Sequence, residues 1–344
     1  MFNPRYTITD NLLANIKRVY TLVNELNNRR FPHVVLVELE KTARAVSTYA
    51  STSIEGNPLP LTEVKKILKS KPAHIGDSEK EVLNYNKALQ DLNEKLEKAQ
   101  VKLSLDLILK IQKQVTVGLL PKFESGKLRE KPVVVNDPRT RKVIYLPPDA
   151  KDVSKLMGDL IGFVNSSRDK IDSLILDGIF HKQMVIIHPF MDGNGRTTRL
   201  ATKVLLAEMG LNTFNLFSFE NYYNKNVTKY FQTVGEFGNY YELVDKVDFT
   251  SWLGYFTEGI IDELLRVQKL LPEVGISPET KLQPHHLKIL EFINEKGFIA
   301  DRDCAKLVNR AKATRALDFK KLIGLGLISR RAKGRATYYV LKGK

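Results

Sequence analysis

The chain has 344 residues, of which 43% are hydrophobic and 27% charged, and its formal net charge at pH 7 is +15. This length is too great for one small core and suggests two or three domains, and the composition is that of a soluble globular protein. No apolar run is long enough to span a bilayer, no apolar signal region begins the chain, and the single cysteine, Cys304, excludes an internal disulfide. We therefore expect a cytoplasmic protein without a membrane partner.

The N-terminal part of the chain has the apolar periodicity of α-helices. Prolines at Pro32 and Pro72 interrupt this pattern, and Gly56 stands at an expected helix end. Ser51 and Glu55 lie four residues apart just before Gly56, so they share one helix face. The predicted helices cover residues 7–29, 34–50, 62–98 (interrupted at the second proline) and 103–120.

The pattern changes between residues 126 and 148. Two β-branched runs there flank a polar Asn136-Asp137-Pro138 turn, which predicts a β-hairpin. Helical periodicity returns over residues 151–168 and 171–187. His181, in the second of these helices, is predicted to be a core histidine with a satisfied hydrogen bond.

The segment 188–199 is a short loop between two helices and contains the polar groups best suited to catalysis. Glycines on both sides of Asn194 permit positive φ and a close approach of a ligand to the backbone. The loop leads into the first turn of a helix, where unpaired N–H groups favour an anion. A phosphate chain is therefore the expected ligand.

Four side chains of this segment complete the predicted site. Arg196 and Arg199 lie three residues apart on one side of the helix, where their guanidinium groups would bind phosphates. Asp192 would hold a divalent cation that bridges phosphates, and His188 has the ordinary pKa of a general base near neutral pH. Together these residues predict a site for a nucleoside triphosphate with magnesium and a base.

The C-terminal fifth of the chain, residues 278–344, carries +10 of the +15 net charge. A linker rich in Pro and Gly precedes it, and its pattern predicts three short helices and two strands around a basic loop. The helices are expected at 284–296, 301–308 and 312–323, and the strands at 327–331 and 336–341. This is the pattern of a winged helix-turn-helix domain.

Lys312 and Arg315 lie on the helix that would enter a DNA groove. Basic charge gives only salt-sensitive, non-specific affinity, so DNA binding and protein docking both stay open for this domain. His285 and His286 are adjacent in the first helix and are expected to point to different sides of it. We therefore predict no transition-metal site among the histidines.

One segment resembles the core motif of the Fic family and matches it at every fixed position. It is His188-Pro189-Phe190-Met191-Asp192-Gly193-Asn194-Gly195-Arg196-Thr197-Thr198-Arg199. Upstream, Ser51-x-x-x-Glu55-Gly56 resembles the inhibitory helix that precedes many Fic domains. The hairpin over 126–148 resembles the Fic flap, which clamps a target segment by strand addition. Downstream, residues 226–231 resemble the helix that borders the adenine pocket, with Tyr230 followed by Phe231 in place of a second tyrosine. The pair Tyr240-Tyr241 is an alternative match.

This resemblance implies an all-α fold, namely a Fic helical bundle with a β-hairpin flap, followed by the C-terminal winged helix-turn-helix domain. The N-terminal helical region, which contains the inhibitory helix, is expected at 1–118. The Fic catalytic core with its flap is expected at 119–271 and the winged domain at 278–344.

The same resemblance implies a protein adenylyltransferase, which moves AMP from ATP to a serine, threonine or tyrosine hydroxyl of a target protein, the chain itself included. His188 would be the catalytic base and Asp192 the Mg²⁺ ligand. Glu55 would pair with Arg199 in bidentate fashion and remove the partner of the γ-phosphate, Ser51 would orient Glu55, and Gly56 would end the inhibitory helix. The residues expected to bind the nucleotide are Gly193, Asn194, Gly195, Arg196, Thr197, Thr198, Arg199, Tyr230 and Phe231.

Other functions remain compatible with the sequence. One is a DNA-binding regulator in which the Fic domain only senses nucleotide. Another is an enzyme of the same fold that transfers a different phosphate-containing group, or that removes AMP with the help of Glu55. A homodimer is also left open, and the sequence does not name the target protein.

Overall fold

The computed structural model of the chain describes residues 2–29, 33–70, 72, 74–136, 142–211, 213–271, 282–332 and 334–342. Its helices are α1 (Asp10–Asn27), α2 (His33–Ile54), α3 (Leu61–Lys69), α4 (Asp77–Lys98), α5 (Leu105–Thr116), α6 (Ala150–Ser167), α7 (Ser173–Ile187), α8 (Asn194–Glu208), α9 (Glu220–Lys225), α10 (Val227–Val234), α11 (Tyr240–Leu243), α12 (Thr250–Leu270), α13 (Pro284–Lys296), α14 (Asp301–Leu307) and α15 (Lys312–Gly324). Its strands are β1 (Val135–Asn136), β2 (Val143–Leu146), β3 (Gly238–Asn239), β4 (Ile299–Ala300), β5 (Ile328–Arg331) and β6 (Tyr338–Leu341). Most of the predicted hairpin turn and all of the predicted linker lie outside the described residues.

The prediction of a mostly helical fold is confirmed. The chain divides into two compact units, one of residues 1–21 and 44–263 and one of residues 22–43 and 264–344. The three domain boundaries given by the sequence stay predictions. None of the described helices is long and apolar enough to cross a membrane.

Helices α7 and α8 form the centre of the first unit. Thirteen of the fifteen residues of α7 are buried, and twelve of the fifteen in α8. A helix that is buried on all sides belongs to the core of a domain rather than to its surface. Helices α5 and α6 pack against this pair, and α4 packs on α5 and α8. The loop between α7 and α8, which carries the predicted site, is therefore held between the two deeply buried central helices of the unit.

The predicted hairpin is present and belongs to a larger sheet. Strands β1 and β2 are antiparallel, with Val135 opposite Tyr145. Strand β2 also pairs in parallel with β3, where Tyr145 lies opposite Gly238, a contact that the sequence did not predict. The phenol of Tyr145 donates to the carbonyl of Ile186 at 3.0 Å and fastens the hairpin to the last turn of α7.

The second unit contains α13, α14, α15 and a three-stranded antiparallel sheet in the order β4-β6-β5. Strands β5 and β6 form as predicted, and β4 is an additional two-residue strand. The rings of Phe319 on α15 and Tyr339 on β6 stack with centroids 4.0 Å apart, so the helix and the sheet share one core.

The prediction that His285 and His286 point to different sides of α13 is wrong. The two Nε2 atoms lie 3.3 and 3.2 Å from the same oxygen, Asp318 Oδ1. The backbone N–H of Gln283 donates to His286 Nδ1 at 3.1 Å, which turns this ring back over the start of the helix. Because Nδ1 accepts a hydrogen bond, the proton of the neutral ring is on Nε2 and is donated to Asp318. Burial lowers the pKa of His286 and favours this neutral form.

Gly178 on α7 lies at a closely packed point of the core beneath the site. Its carbonyl accepts a hydrogen bond from Trp252 Nε1 at 2.7 Å, and a Cβ at Gly178 would lie 2.6 Å from Leu253 Cδ2. We expect Gly178→Val to lower the free energy of unfolding by about 1–3 kcal/mol through overpacking, as measured by urea denaturation. The control is Gly162→Ala on α6, where a Cβ meets nothing within 4 Å and should be neutral or stabilising. Equal stability of the Gly178 variant and the wild type would contradict this packing.

Candidate active site

His188 ends α7 in a left-handed conformation, with φ 49° and ψ 60°. Its carbonyl accepts from Arg129 Nε at 2.8 Å, and the next carbonyl, of Pro189, accepts from the Arg129 backbone N–H at 2.9 Å. These bonds hold a conformation that a non-glycine residue rarely adopts. Nδ1 of His188 lies 3.4 Å from the carbonyl of Val185, which can only accept, so Nε2 is left as the basic nitrogen.

The loop after His188 is closed by Asn194. The side-chain oxygen of Asn194 accepts from the N–H of Phe190, and its amide donates to the carbonyl of Phe190, each at 2.9 Å. Gly193 has φ +79°, and a Cβ there would lie 2.9 Å from Thr116 Cγ2, so glycine is required at this position for two reasons. The loop thus presents the first turn of α8 in a fixed orientation.

A cavity of about 580 Å³ lies beside this loop. Its volume falls in the range of small-ligand pockets. Four parts of the first unit line it, namely the end of α2, the hairpin, the α7–α8 loop and α10 with the turn after it. Of the predicted site residues it is lined by Glu55, Gly56, His188, Asn194, Gly195, Arg199, Tyr230 and Phe231.

Arg199 is fully buried and joins the end of α2 to α8. Its Nε donates to Ser51 Oγ at 2.8 Å, and its Nη2 donates to the Ser51 carbonyl at 2.7 Å and to Glu55 Oε1 at 2.8 Å. The predicted partner of Glu55 is therefore correct, but the contact is not the bidentate one that we expected. Ser51 likewise binds the guanidinium rather than orienting the carboxylate, because Ser51 in the last turn of α2 and Glu55 just after that helix both reach Arg199. Burial lowers the pKa of Arg199, but Glu55 and the surrounding tyrosines outweigh this and raise it.

Glu55 occupies the space directly above Gly195. A Cβ at Gly195 would collide with Glu55 Oε1 and lie 3.0 Å from Arg199 Nη1. This carboxylate therefore lies at the N-terminus of α8, where an anion is favoured.

Arg196 is also buried but does not line the cavity. Its Nη2 lies 3.0 and 2.9 Å from the two carboxylate oxygens of Asp192, and its Nη1 lies 3.0 Å from Glu81 Oε1. The structure thus separates the two arginines that the sequence assigned to one ligand. Thr197 and Thr198 are buried beneath the loop and do not line the cavity either. A contact between any of these three residues and a nucleotide stays a prediction.

The predicted base-pocket helix, α10, borders the cavity. Tyr230 is buried with its hydroxyl 3.1 Å from His181 Nε2, and Nδ1 of His181 lies 3.0 Å from Thr202 Oγ1. The prediction that His181 is a core histidine with satisfied hydrogen bonds is therefore confirmed. Phe231 lies at the cavity wall, whereas Tyr241 does not line the cavity and donates to Asp152 Oδ2 at 2.5 Å.

Sequence reasoning missed two cations that shape the site. Arg129 is buried beside the motif, and Lys182 on α7 is buried with its Nζ 3.1 Å from the carbonyl of Thr233, 3.3 Å from that of Gly235 and 2.8 Å from Glu236 Oε1. Burial lowers the pKa of Lys182, and Glu236 opposes this shift. The ammonium group thus caps the end of α10 and fixes the cavity wall. A single lysine inside the apolar run of α7 was the available signal.

Residues 102–206 match the Fic/DOC family. This chain contains a Fic domain. The protein adenylyltransferase Fic of Culex quinquefasciatus is 30% identical over 217 residues, which are 58% of this chain and 42% of that protein. The protein of the same name from Nematostella vectensis is 32% identical over 166 residues, which are 47% of this chain and 37% of that protein. The chain therefore spans less than half the length of these relatives.

Two solved structures share the Fic fold. A Fic family protein from Desulfovibrio desulfuricans G20 has a TM-score of 0.67 and 20% identity, and the match covers 100% of this chain and 99% of that one. A fragment of Fic-1 from C. elegans has a TM-score of 0.57 and 23% identity, with 74% of this chain and 71% of that one covered. At these identities the likeness concerns the fold alone.

The protonation state of His188 can be measured directly. Burial of the ring lowers its pKa to about 4, although the Val185 carbonyl and Glu55 raise it. We therefore expect His188 to stay neutral at pH 6, where an ordinary histidine with a pKa of about 6.5 is mostly protonated. An NMR titration of the imidazole protons of the full chain, with the signal assigned from a His188→Asn spectrum, measures this. A midpoint near 6.5 would contradict this lowering of the pKa by burial.

Proposed function

We propose that this chain is a protein adenylyltransferase that moves AMP from ATP to a serine, threonine or tyrosine hydroxyl of a target protein, the chain itself included. The observation that carries this proposal is that His188, Gly195 and Arg199 of a complete Fic motif line the same cavity, which α10 borders. The relatives named protein adenylyltransferase Fic support the same activity.

In the proposed reaction, Nε2 of His188 takes the proton of the target hydroxyl. The hydroxyl oxygen then attacks the α-phosphorus of ATP, the bond from that phosphorus to the β-phosphate oxygen breaks, and pyrophosphate leaves. Such a transfer depends mainly on positioning and charge neutralisation, and the general base adds about 10²–10⁴-fold in rate. The neutral state of His188 suits this role, since a protonated ring could not accept the proton.

Asp192 fits the proposed Mg²⁺. Its side chain is 46% exposed, and Mg²⁺ usually takes only one or two carboxylates together with phosphate oxygens and water. A bound Mg²⁺ would neutralise negative charge on the phosphates. In the structure this carboxylate accepts hydrogen bonds from Arg196 Nη2 and from the backbone N–H of Gly193, so a cation would compete with Arg196 for it.

We further propose that Glu55 inhibits the chain. Its carboxylate pairs with Arg199 above the start of α8, so a γ-phosphate reaching this place would lose a cationic partner and meet a like charge. Glu55 directly follows α2 and lies outside the segment that matches the family, so this inhibitor would be built into the same chain.

The hairpin offers a docking edge for the target segment. Within the described residues, β2 pairs with a strand on each side, whereas β1 pairs only with β2. Val134 and Val143 are 46% and 52% exposed there. Strand addition on β1 would combine main-chain hydrogen bonds with these apolar contacts.

The test of this proposal is incorporation of AMP from labelled ATP into the chain and into lysate proteins. Because Glu55→Gly frees Arg199, we expect at least about tenfold more incorporation than in the wild type at one ATP concentration. His188→Ala in the Glu55→Gly background should lose about 10²–10⁴-fold.

Two outcomes would contradict the proposal. Undiminished transfer without His188 would remove the base assignment, and equal transfer by wild type and Glu55→Gly would remove the inhibitory role. Parallel reactions with other labelled nucleotides separate AMP transfer from transfer of another phosphate-containing group. Release of label from modified protein would instead indicate AMP removal.

For the second unit we propose a winged helix-turn-helix domain over 278–344, after the regions 1–118 and 119–271. Its three helices and the sheet order β4-β6-β5 support this reading. DNA binding is a second candidate function, favoured by the charge of the segment and by the exposed Lys312. The structure argues against a DNA contact by Arg315, because Asp301 accepts two hydrogen bonds of 2.9 Å from its guanidinium. The cytoplasmic location and the homodimer stay predictions from the sequence.

The DNA proposal predicts salt-dependent binding through α15. We expect Lys312→Ala to weaken binding of a labelled duplex a few-fold in fluorescence anisotropy, and wild-type affinity to fall steeply between about 50 and 200 mM salt. Lys110→Ala is the control, since this exposed lysine lies on α5. Affinity that is independent of salt, or equal in all three proteins, would argue for protein docking by this unit instead.

A further inference from the structure

Glu81 on α4 contacts the Fic motif from outside it. Its Oε1 lies 3.0 Å from Nη1 of Arg196, while Nη2 of the same guanidinium contacts both oxygens of Asp192 at 2.9 and 3.0 Å. Arg196 is 2% exposed, so its charge is neutralised by these carboxylates rather than by water. Two carboxylates thus share one arginine.

The position of Glu81 is itself fixed by the segment that follows Glu55. The amide of Asn57 donates to Glu81 Oε2 at 2.8 Å and to the carbonyl of Ser78 at 2.9 Å. The oxygen of the same amide accepts from the N–H of Leu59 at 3.1 Å, and Asn57 is only 8% exposed. Asn57 therefore has its hydrogen bonds satisfied and keeps Glu81 directed at Arg196.

We propose that Glu81 is a positioning residue that sets the cation affinity of Asp192 by sharing Arg196 with it. Two carboxylates against one guanidinium leave one net negative charge beside the place of the cation. Without Glu81, Arg196 and Asp192 would form a neutral pair, and a cation would compete with the whole charge of the arginine. This inference rests on the proposed role of Asp192 as the Mg²⁺ ligand.

The experiment measures metal binding rather than activity. Mn²⁺ is titrated into the full chain carrying Glu55→Gly with α,β-methylene-ATP, and free Mn²⁺ is followed by electron paramagnetic resonance. Removing one unit of charge at an effective dielectric constant of about 20 should raise the Kd for Mn²⁺ about tenfold in Glu81→Gln. Glu81→Asp keeps the charge and should lose less than about threefold.

Glu94→Gln is the matched control, since it removes the same charge from an exposed position of α4, where the carboxylate accepts a hydrogen bond from its neighbour Gln90. It should bind Mn²⁺ as the Glu55→Gly background does. Thermal unfolding of every variant shows whether it is folded, and Glu81→Asp is compared with Glu81→Gln only at equal stability.

The Mn²⁺ affinities of the variants distinguish failure of this inference from failure of the proposed metal site. If Asp192→Asn abolishes Mn²⁺ binding but Glu81→Gln leaves it unchanged, the inference about Glu81 is overturned and the proposed function stands. If Asp192→Asn leaves the affinity unchanged, the metal assignment fails and the inference fails with it. Equal losses in Glu81→Gln and Glu81→Asp would show that shape rather than charge matters, which also overturns the proposal.

Discussion

The buried guanidinium of Arg199 is the group on which the arrangement of the site depends. A charge withdrawn from water is tolerated only when it is paired and hydrogen-bonded. Arg199 is paired with Ser51 in the last turn of α2 and with Glu55 just after that helix. The same contact closes the space above Gly195. In the folded chain the buried arginine is therefore paired with a carboxylate at the place where we propose that a phosphate binds, so stability and the proposed inhibition would have one physical cause.

Around the remainder of the site, two cationic side chains donate hydrogen bonds to backbone carbonyls. Arg129 fixes the strained turn at His188, and Lys182 fixes the end of α10. Both groups sit in or against α7, the most buried helix of the first unit. A loop supported in this way is preorganised, which would favour a reaction that depends on positioning. By contrast, Glu55 contacts a single nitrogen of Arg199, so we expect a ligand to displace Glu55 more easily than the other groups of the site.

The sequence predicted what local patterns encode. Apolar periodicity and the prolines located the helices, and the motif over 188–199 pointed to the proposed base and to the arginine that contacts Glu55. Contacts between distant segments were not predictable in this way. Pairing of β2 with β3, the clamp by Arg129 and the link from Glu81 to Arg196 each join residues far apart in the chain. The separation of Arg196 from Arg199 was not predictable for the same reason. Helical spacing places both arginines on one side of α8, but each guanidinium turns toward a carboxylate from a distant segment of the chain.

The central claim, that Glu55 occupies the place of the γ-phosphate, is tested most directly by calorimetric titration of wild type and Glu55→Gly with ATP and with ADP, each with Mg²⁺. Only ATP carries a γ-phosphate that would gain Arg199 and lose a like charge. The account predicts that Glu55→Gly lowers the Kd for ATP by at least about tenfold and the Kd for ADP much less. Equal changes for the two nucleotides, or no change for ATP, would contradict it.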